Sequence, residues 1–271
     1  PLVRDYMLGF MPGELFGVWQ ALLLFVIRLD GNPRLAMWCN VVAAGANVVL
    51  DWLMIVVLGW GLFGAAVASA LSMLLGGAIA VWYMFFAARQ LRPIRLKWSR
   101  RSLLYSIRNI SYQCTIGLSA LMGECTMAVL ALVGNYVFGF YMGDAGIGAF
   151  GIACYYTPFV FMIGNAVAQS AQPIVSFNYG SGDSRRVRST LHVALLTAFA
   201  CGLAVSGAFV LLPQQLVELF VNNSEAAFPL AVNGFPLIAV SFVFFIINLT
   251  CIGYFQSIER VRPAMVFALL R

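Results

Sequence analysis

Asp51 is a carboxylate in a stretch of sequence that otherwise reads as hydrocarbon. The run from Met37 to Leu58 is apolar for about the length of a bilayer span, yet it carries Asn40, Asn47 and Asp51. Asn47 and Asp51 are four residues apart and Asn40 lies seven before Asn47, so a helix projects all three from one face. A carboxylate at membrane depth costs at least a few kcal/mol and marks an ion or substrate path by default. Its chemistry there is limited: it holds a proton, holds a cation, or meets an aqueous cavity. No Lys or Arg in the same segment neutralises it.

Other apolar segments repeat the pattern. Ser69 and Ser72 lie in the next segment, within reach of the Asn47–Asp51 face. Gln113, Glu124 and Asn135 recur at intervals of eleven, close to three helical turns, and Asn165, Gln169, Gln172 and Ser176 at intervals of four, three and four. Amides and hydroxyls in such positions also serve as interhelical glue, at about 0.6–2 kcal/mol each. That account covers Asn40, Asn135 and Asn165 as well as a pathway role does; for Asp51 and Glu124 it is the weaker one. Glu14, near Pro12 and Gly13, is close enough to a segment end for water to reach it, and His192 opens a segment beside a basic loop at the membrane interface.

The elements that must position these residues are membrane helices. Hydrophobic residues make up 62% of the chain and charged ones 10%, with mean hydropathy +0.91, against about 45–50% and about 25% in soluble domains. An α-helix crosses the hydrocarbon core with about 20 apolar residues. Seven segments qualify, near 6–28, 34–58, 62–87, 105–140, 146–177, 189–212 and 228–256, and an eighth begins near 264. Period-2 alternation is absent, so the expected class is all-α and polytopic rather than a barrel. Pro158 and Pro173 are the expected kink points of the fifth segment.

The connections alternate in charge. Basic residues crowd 28–34, 89–101, 180–188 and 258–263, whereas the connections between those are neutral or acidic, with Asp144, Glu218 and Glu225. Positive loops stay in the cytoplasm, which orients the chain as a multi-pass protein of the cell inner membrane and accounts for the net charge of +6 without a nucleic-acid partner. The six cysteines stand singly in apolar segments and read as small packing residues, not metal ligands. The polar stretch 89–104 is the expected boundary between two bundles, 1–88 and 105–271. Both ends of the sequence look cut, which suggests a fragment.

An internal repeat sharpens that organisation. At an offset of 228 residues, Arg34, Ala36 and Met37 meet Arg262, Ala264 and Met265 in similar short basic connections. The seventh segment then repeats the first in the same orientation, so the unit is six helices and the whole plan twelve, a recurring transporter architecture.

The stretches GNPRLAM (31–37), NVVLD (47–51), GLFGAAVASALS (61–72) and AQPIVSFNYGSGDSRRV (171–187) resemble, in this order and spacing, the MATE (multidrug and toxic compound extrusion) family. The resemblance covers essentially the whole chain. It implies two six-helix bundles around a cleft and, acting as a monomer in the lipid bilayer, export of small organic cations against Na+ or H+, with no other cofactor. It also implies a cation site in the first bundle at Asn47, Asp51 and Ser69, with Asp51 and Asn47 as metal ligands if the ion is Na+, and a coupling role for Glu124. An acid that some members carry on the tenth helix is missing here, leaving Asn248 nearby, and Glu259 stands where a glycine is usual. The expected substrate pathway comprises Asn40, Gln113, Asn135, Asn165, Gln169, Gln172 and Asn248. Two alternatives stand beside it. A flippase for lipid-linked saccharides would line its cavity with basic residues, which here lie almost wholly in loops, and a membrane-embedded enzyme would need a cluster of His, Asp or Glu that the sequence lacks.

Overall fold

A computed structural model describes residues 2–88 and 99–270, and every element in it is helical among those residues. The helices are α1 (Leu2–Leu29), α2 (Pro33–Asp51), α3 (Gly61–Trp82), α4 (Arg100–Gly180), α5 (Ser184–Leu211), α6 (Pro213–Glu218), α7 (Ala227–Ser257) and α8 (Val261–Leu269). Trp52–Val57 and Tyr83–Ala87 extend α2 and α3 as wider π-helical turns. Among the described residues, six helices are long and apolar enough to cross a membrane. Their outer faces expose Trp19, Leu132 and Phe244 by 64%, 72% and 69%, which only lipid tolerates at this density. The chain is an all-α, multi-pass membrane protein.

The count of six hides a seventh span, because α4 is two helices. Gly143 breaks it at φ 64°, ψ −153°, a conformation essentially reserved for glycine. Phe150 packs against Gly134, and its ring stacks 5.0 Å from that of Phe138. Sixteen residues of straight helix would hold Gly134 and Phe150 about 24 Å apart, so the arms 100–142 and 144–180 fold back on one another. The sequence expectation of two spans here stands, with the break at Gly143, inside the expected connection between 140 and 146; Pro158 and Pro173 lie within the second arm, where φ and ψ stay helical. The first arm also begins earlier than the pattern suggested, at Arg100. Most of the basic stretch read as 89–104 lies outside the described residues.

The chain divides into two compact units, Pro1–Lys97 and Trp98–Arg271. In the first, α1 packs on α3 through small residues. A Cβ added at Gly9 would come 2.9 Å from that of Ala66, one at Gly13 would overlap Ala70, and one at Gly17 would meet Met73 at 3.0 Å. Three glycines at four-residue spacing thus let two helices approach closely. In lipid this matters more than apolarity, because tails are as apolar as leucine and helix association rests on packing.

The second unit is built around α7. Val160, Phe235, Ala239 and Ile246 are 0–1% exposed, and Phe209 of α5 lies among Tyr156, Phe235 and Phe242 with ring centroids 4.9–5.1 Å away. Tyr156, half-buried, satisfies its hydroxyl by donating to the Leu216 carbonyl of α6 at 2.9 Å, as tyrosines in an apolar setting usually do. Cys39 is buried, but Cys114 and Cys125 lie exposed on the first arm of α4, so packing does not account for those two.

The repeat appears in the backbone. Gly31 (φ 83°) closes α1 with its N–H on the Arg28 carbonyl at 3.1 Å, and the Asn32 N–H reaches Ile27 at 3.2 Å. At the offset of 228 residues, Glu259 (φ 61°) bonds Gln256 at 3.1 Å and Arg260 bonds Phe255 at 2.9 Å. Both form the left-handed cap with paired 5→2 and 6→1 bonds. Gly182 (φ 79°) makes the same elbow between α4 and α5, with Gly182 on Tyr179 at 3.1 Å and Asp183 on Asn178 at 2.9 Å. All three short basic connections are therefore one structure, and Glu259 occupies the left-handed position that glycine fills in the other two.

Candidate functional site

In the first unit, α2 and α3 bring two of the expected residues into contact. The Asn47 amide Nδ2 donates to Ser69 Oγ at 3.4 Å, and the Ser72 hydroxyl donates to the Ser69 carbonyl at 2.8 Å. Because Nδ2 is the donor, the Asn47 carbonyl oxygen remains available as an acceptor or ligand.

One turn further along, Asp51 ends the regular part of α2, and the helix widens over Trp52–Val57, where the Leu58 N–H bonds the Leu53 carbonyl five residues back at 2.9 Å. Such widened turns recur at functional sites. Asp51 is half-buried, and its Oδ1 is wholly enclosed with no hydrogen-bond partner. A buried carboxylate oxygen left unpaired costs more than a neutral group would and calls for a proton, a water or an ion. A carboxylate, an amide carbonyl and a hydroxyl are the oxygen donors that a hard cation takes. These residues fit a cation chemically.

Sequence reasoning missed a second buried acid in this unit. Asp30, 2% exposed at the end of α1, accepts a 2.7 Å hydrogen bond from the hydroxyl of Tyr83, itself 3% exposed. Its position in a basic connection disguised it; the only signal was an acid among Arg28 and Arg34. Gln20, also buried, packs against Gly76, whose lack of a side chain makes room for its amide. Asn40 and Glu14 are exposed on their helices.

The second unit treats its polar residues differently. Gln172 Nε2 donates to Gln256 Oε1 at 3.3 Å, and Gln256 Nε2 donates to Ser119 Oγ at 3.0 Å, linking both arms of α4 to α7. Ser176 adds a bond to the Ser257 carbonyl at 3.3 Å. Of this chain only Gln172 and Ser176 had been singled out, because Gln256 and Ser119 belong to no stripe of their own. Asn248 donates to the Phe267 carbonyl of α8 at 2.9 Å and leaves its Oδ1 buried and unpaired.

The remaining candidates are not drawn together. Gln113, Glu124 and Asn135 are exposed on the first arm of α4, and Asn135 turns back on its own helix, donating to Ala131 at 2.9 Å. Asn165 and Gln169 are half-buried on the second arm. Among the described residues, no cluster of three or more His, Cys, Asp or Glu is placed to hold a metal ion.

Known proteins resemble this chain in sequence and in fold. The MatE family profile matches residues 120–271. The multidrug export protein MepA of Staphylococcus haemolyticus is 24% identical over 98% of this chain and 58% of its own length. A probable multidrug resistance protein NorM of Rhizobium meliloti is 26% identical over 94% of this chain and 56% of its own. The chain thus spans a little over half the length of these relatives. Among solved structures, an outward-facing multidrug resistance MATE family transporter of the MOP superfamily aligns over 98% of this chain and 58% of its own, with TM-score 0.86 and 22% identity. A MOP superfamily transporter from Pyrococcus furiosus, whose binding pocket of reverse polarity suggests a different function, aligns over the same shares with TM-score 0.85 and 21% identity.

Proposed function

As the chain belongs to the MatE family, we propose that it works as a secondary active exporter, exchanging small organic cations for Na+ or H+ across the cell membrane. The observation that carries this reading is Asp51 Oδ1, enclosed without a partner one helical turn from the Asn47–Ser69 pair. A site of this kind has an acceptor oxygen that an ion can satisfy. That gives the ion a binding free energy to trade against the substrate.

In the exchange, Asp51 holds the ion, Asn47 offers its carbonyl oxygen and Ser69 its hydroxyl. With H+ as the ion, Asp51 takes the proton itself, and a protonated carboxyl meets the demand of the enclosed, unpartnered oxygen. With Na+, the three oxygens form part of a larger shell. Glu124 serves as the second coupling carboxylate, from the exposed first arm of α4. To the substrate path we assign Asn40 in the first unit and Gln113, Asn135, Asn165, Gln169, Gln172 and Asn248 in the second. The reading makes the protein a transporter and not an enzyme, consistent with relatives named as exporters. The three basic elbows face the cytoplasm, as loop charge dictates.

The test is efflux of a fluorescent lipophilic cation from vesicles containing the protein, under an imposed Na+ or H+ gradient. Asp51→Asn should abolish gradient-driven efflux while leaving the protein folded. Normal efflux by Asp51→Asn and Glu124→Gln under both gradients would sink the assignment.

A further inference from the structure

The start of α5 carries a charged surface that the transport reading does not use. Ser184, Arg185, Arg188, Ser189 and His192 line a concavity of about 540 Å3. Arg185, Arg188, Ser189 and His192 follow the helical repeat and share one face. Among the described residues, the only ion pair of this region is Arg186 with Asp183 at 3.5 Å, and Arg186 points off that face. Arg185 and Arg188 are exposed guanidinia without a carboxylate partner.

Below the charges the same stripe turns apolar. Leu196, Phe199 and Leu203 continue it at intervals of four, three and four from His192, and they are 56%, 47% and 50% exposed. Val187, Ala194, Ala198 and Gly202 are buried on the opposite side of α5, so the stripe faces away from the packed interior of its own unit. From His192 to Leu203 the helix rises about 16 Å, about half of the ~30 Å hydrocarbon core. A cationic, hydroxyl-bearing hollow at the polar boundary, followed by an apolar track one leaflet long, is complementary to an amphiphile with an anionic head and acyl chains. We propose that this face of α5 binds an anionic phospholipid, its phosphate between Arg185, Arg188 and the Ser184 and Ser189 hydroxyls, and its chains along Leu196, Phe199 and Leu203. A free anion would leave the apolar track unused. Guanidinium suits phosphate better than a lysine would, because its planar fork bonds two oxygens at once.

The protein, incorporated in nanodiscs of equal phosphatidylglycerol and phosphatidylcholine with identical chains, is released into mild detergent and weighed by native mass spectrometry. Wild type should retain phosphatidylglycerol in clear excess. Arg185→Gln/Arg188→Gln should lose that preference by roughly thirtyfold, on the scale of two juxtamembrane charges. Arg186→Gln should retain it. If the double variant is not monodisperse, the single variants Arg185→Gln and Arg188→Gln decide, each losing roughly fivefold. Equal retention of the two lipids by wild type, or unchanged preference in the glutamine variants, overturns the proposal. So does displacement of the lipid by millimolar inorganic phosphate, which reassigns the hollow to a free anion. A dimer mass lost in the glutamine variants would assign the face to a second copy of the chain.

Discussion

The two units bury polar residues to opposite ends. In the first, Asp51 is an acid with one oxygen enclosed without a partner, whereas in the second, Gln172, Gln256 and Ser119 are not ionisable and answer one another across three helical segments. A satisfied neutral chain ties helices together and has little reason to change. An unsatisfied carboxylate has a standing demand that a proton or cation can meet and later release. The difference separates polar groups that do work from polar groups that hold shape, although both look alike in a hydropathy profile. Asn248 falls between them: it has one bond and one empty oxygen, but no charge.

That contrast can be broken most directly at Asp51. Asp51→Asn should abolish gradient-driven efflux, a loss at or beyond the roughly hundredfold end of the usual span of a coupling free energy, with no loss of thermal stability, because the carboxylate oxygen that it replaces has no partner to lose. Parallel losses of efflux and melting temperature would place Asp51 among the structural residues instead. The counterpart is Gln256→Leu, which strands the Gln172 amide and takes away the donor to Ser119, whose hydroxyl keeps its own bond to the Ile116 carbonyl at 2.7 Å, and it should cost about 1–2 kcal/mol of stability. It should leave the ion dependence of efflux unchanged; a shift in that dependence would show that the amide chain takes part in coupling.

The elbows allow a reciprocal exchange between the units. A non-glycine residue at a left-handed position costs about 1–2 kcal/mol, so Glu259→Gly should raise the melting temperature and Gly31→Glu should lower it, each by that order. Equal melting temperatures for Glu259→Gly and wild type would mean that the Glu259 side chain, which lies beside Tyr112, offsets its own backbone cost. The smallest effect is expected at Ser69→Ala. Loss of a 3.4 Å amide–hydroxyl contact should weaken ion affinity only a few-fold, at about 0.5–1.5 kcal/mol, measured as the Na+ or H+ concentration that half-saturates efflux.

Much of this was legible in the sequence because the membrane simplifies the problem. Backbone groups must be satisfied within each span, so apolar length alone located the helices, and loop charge with the 228-residue offset exposed the repeat. The Asn47–Asp51 face was legible because a four-residue spacing has one meaning on a helix. What escaped notice depended on contacts between distant segments. Gln256 meets Ser119 across 137 residues and Asp30 meets Tyr83 across 53, and no local period marks either pair. The stripe of Gln113, Glu124 and Asn135 met the same limit from the other side. Its spacing was regular, but regular spacing on a helix states only that residues share a face, not what the face meets.

The three elbows at Gly31, Gly182 and Glu259 are closed on both sides by hydrogen bonds within a single turn. They have no slack. An epitope tag or fluorescent reporter spliced into any of them would have to undo two helix ends at once, even though each looks on paper like an inviting basic loop. The acidic stretch between α6 and α7 is closed by no such left-handed cap and should accept the same insert with less disturbance.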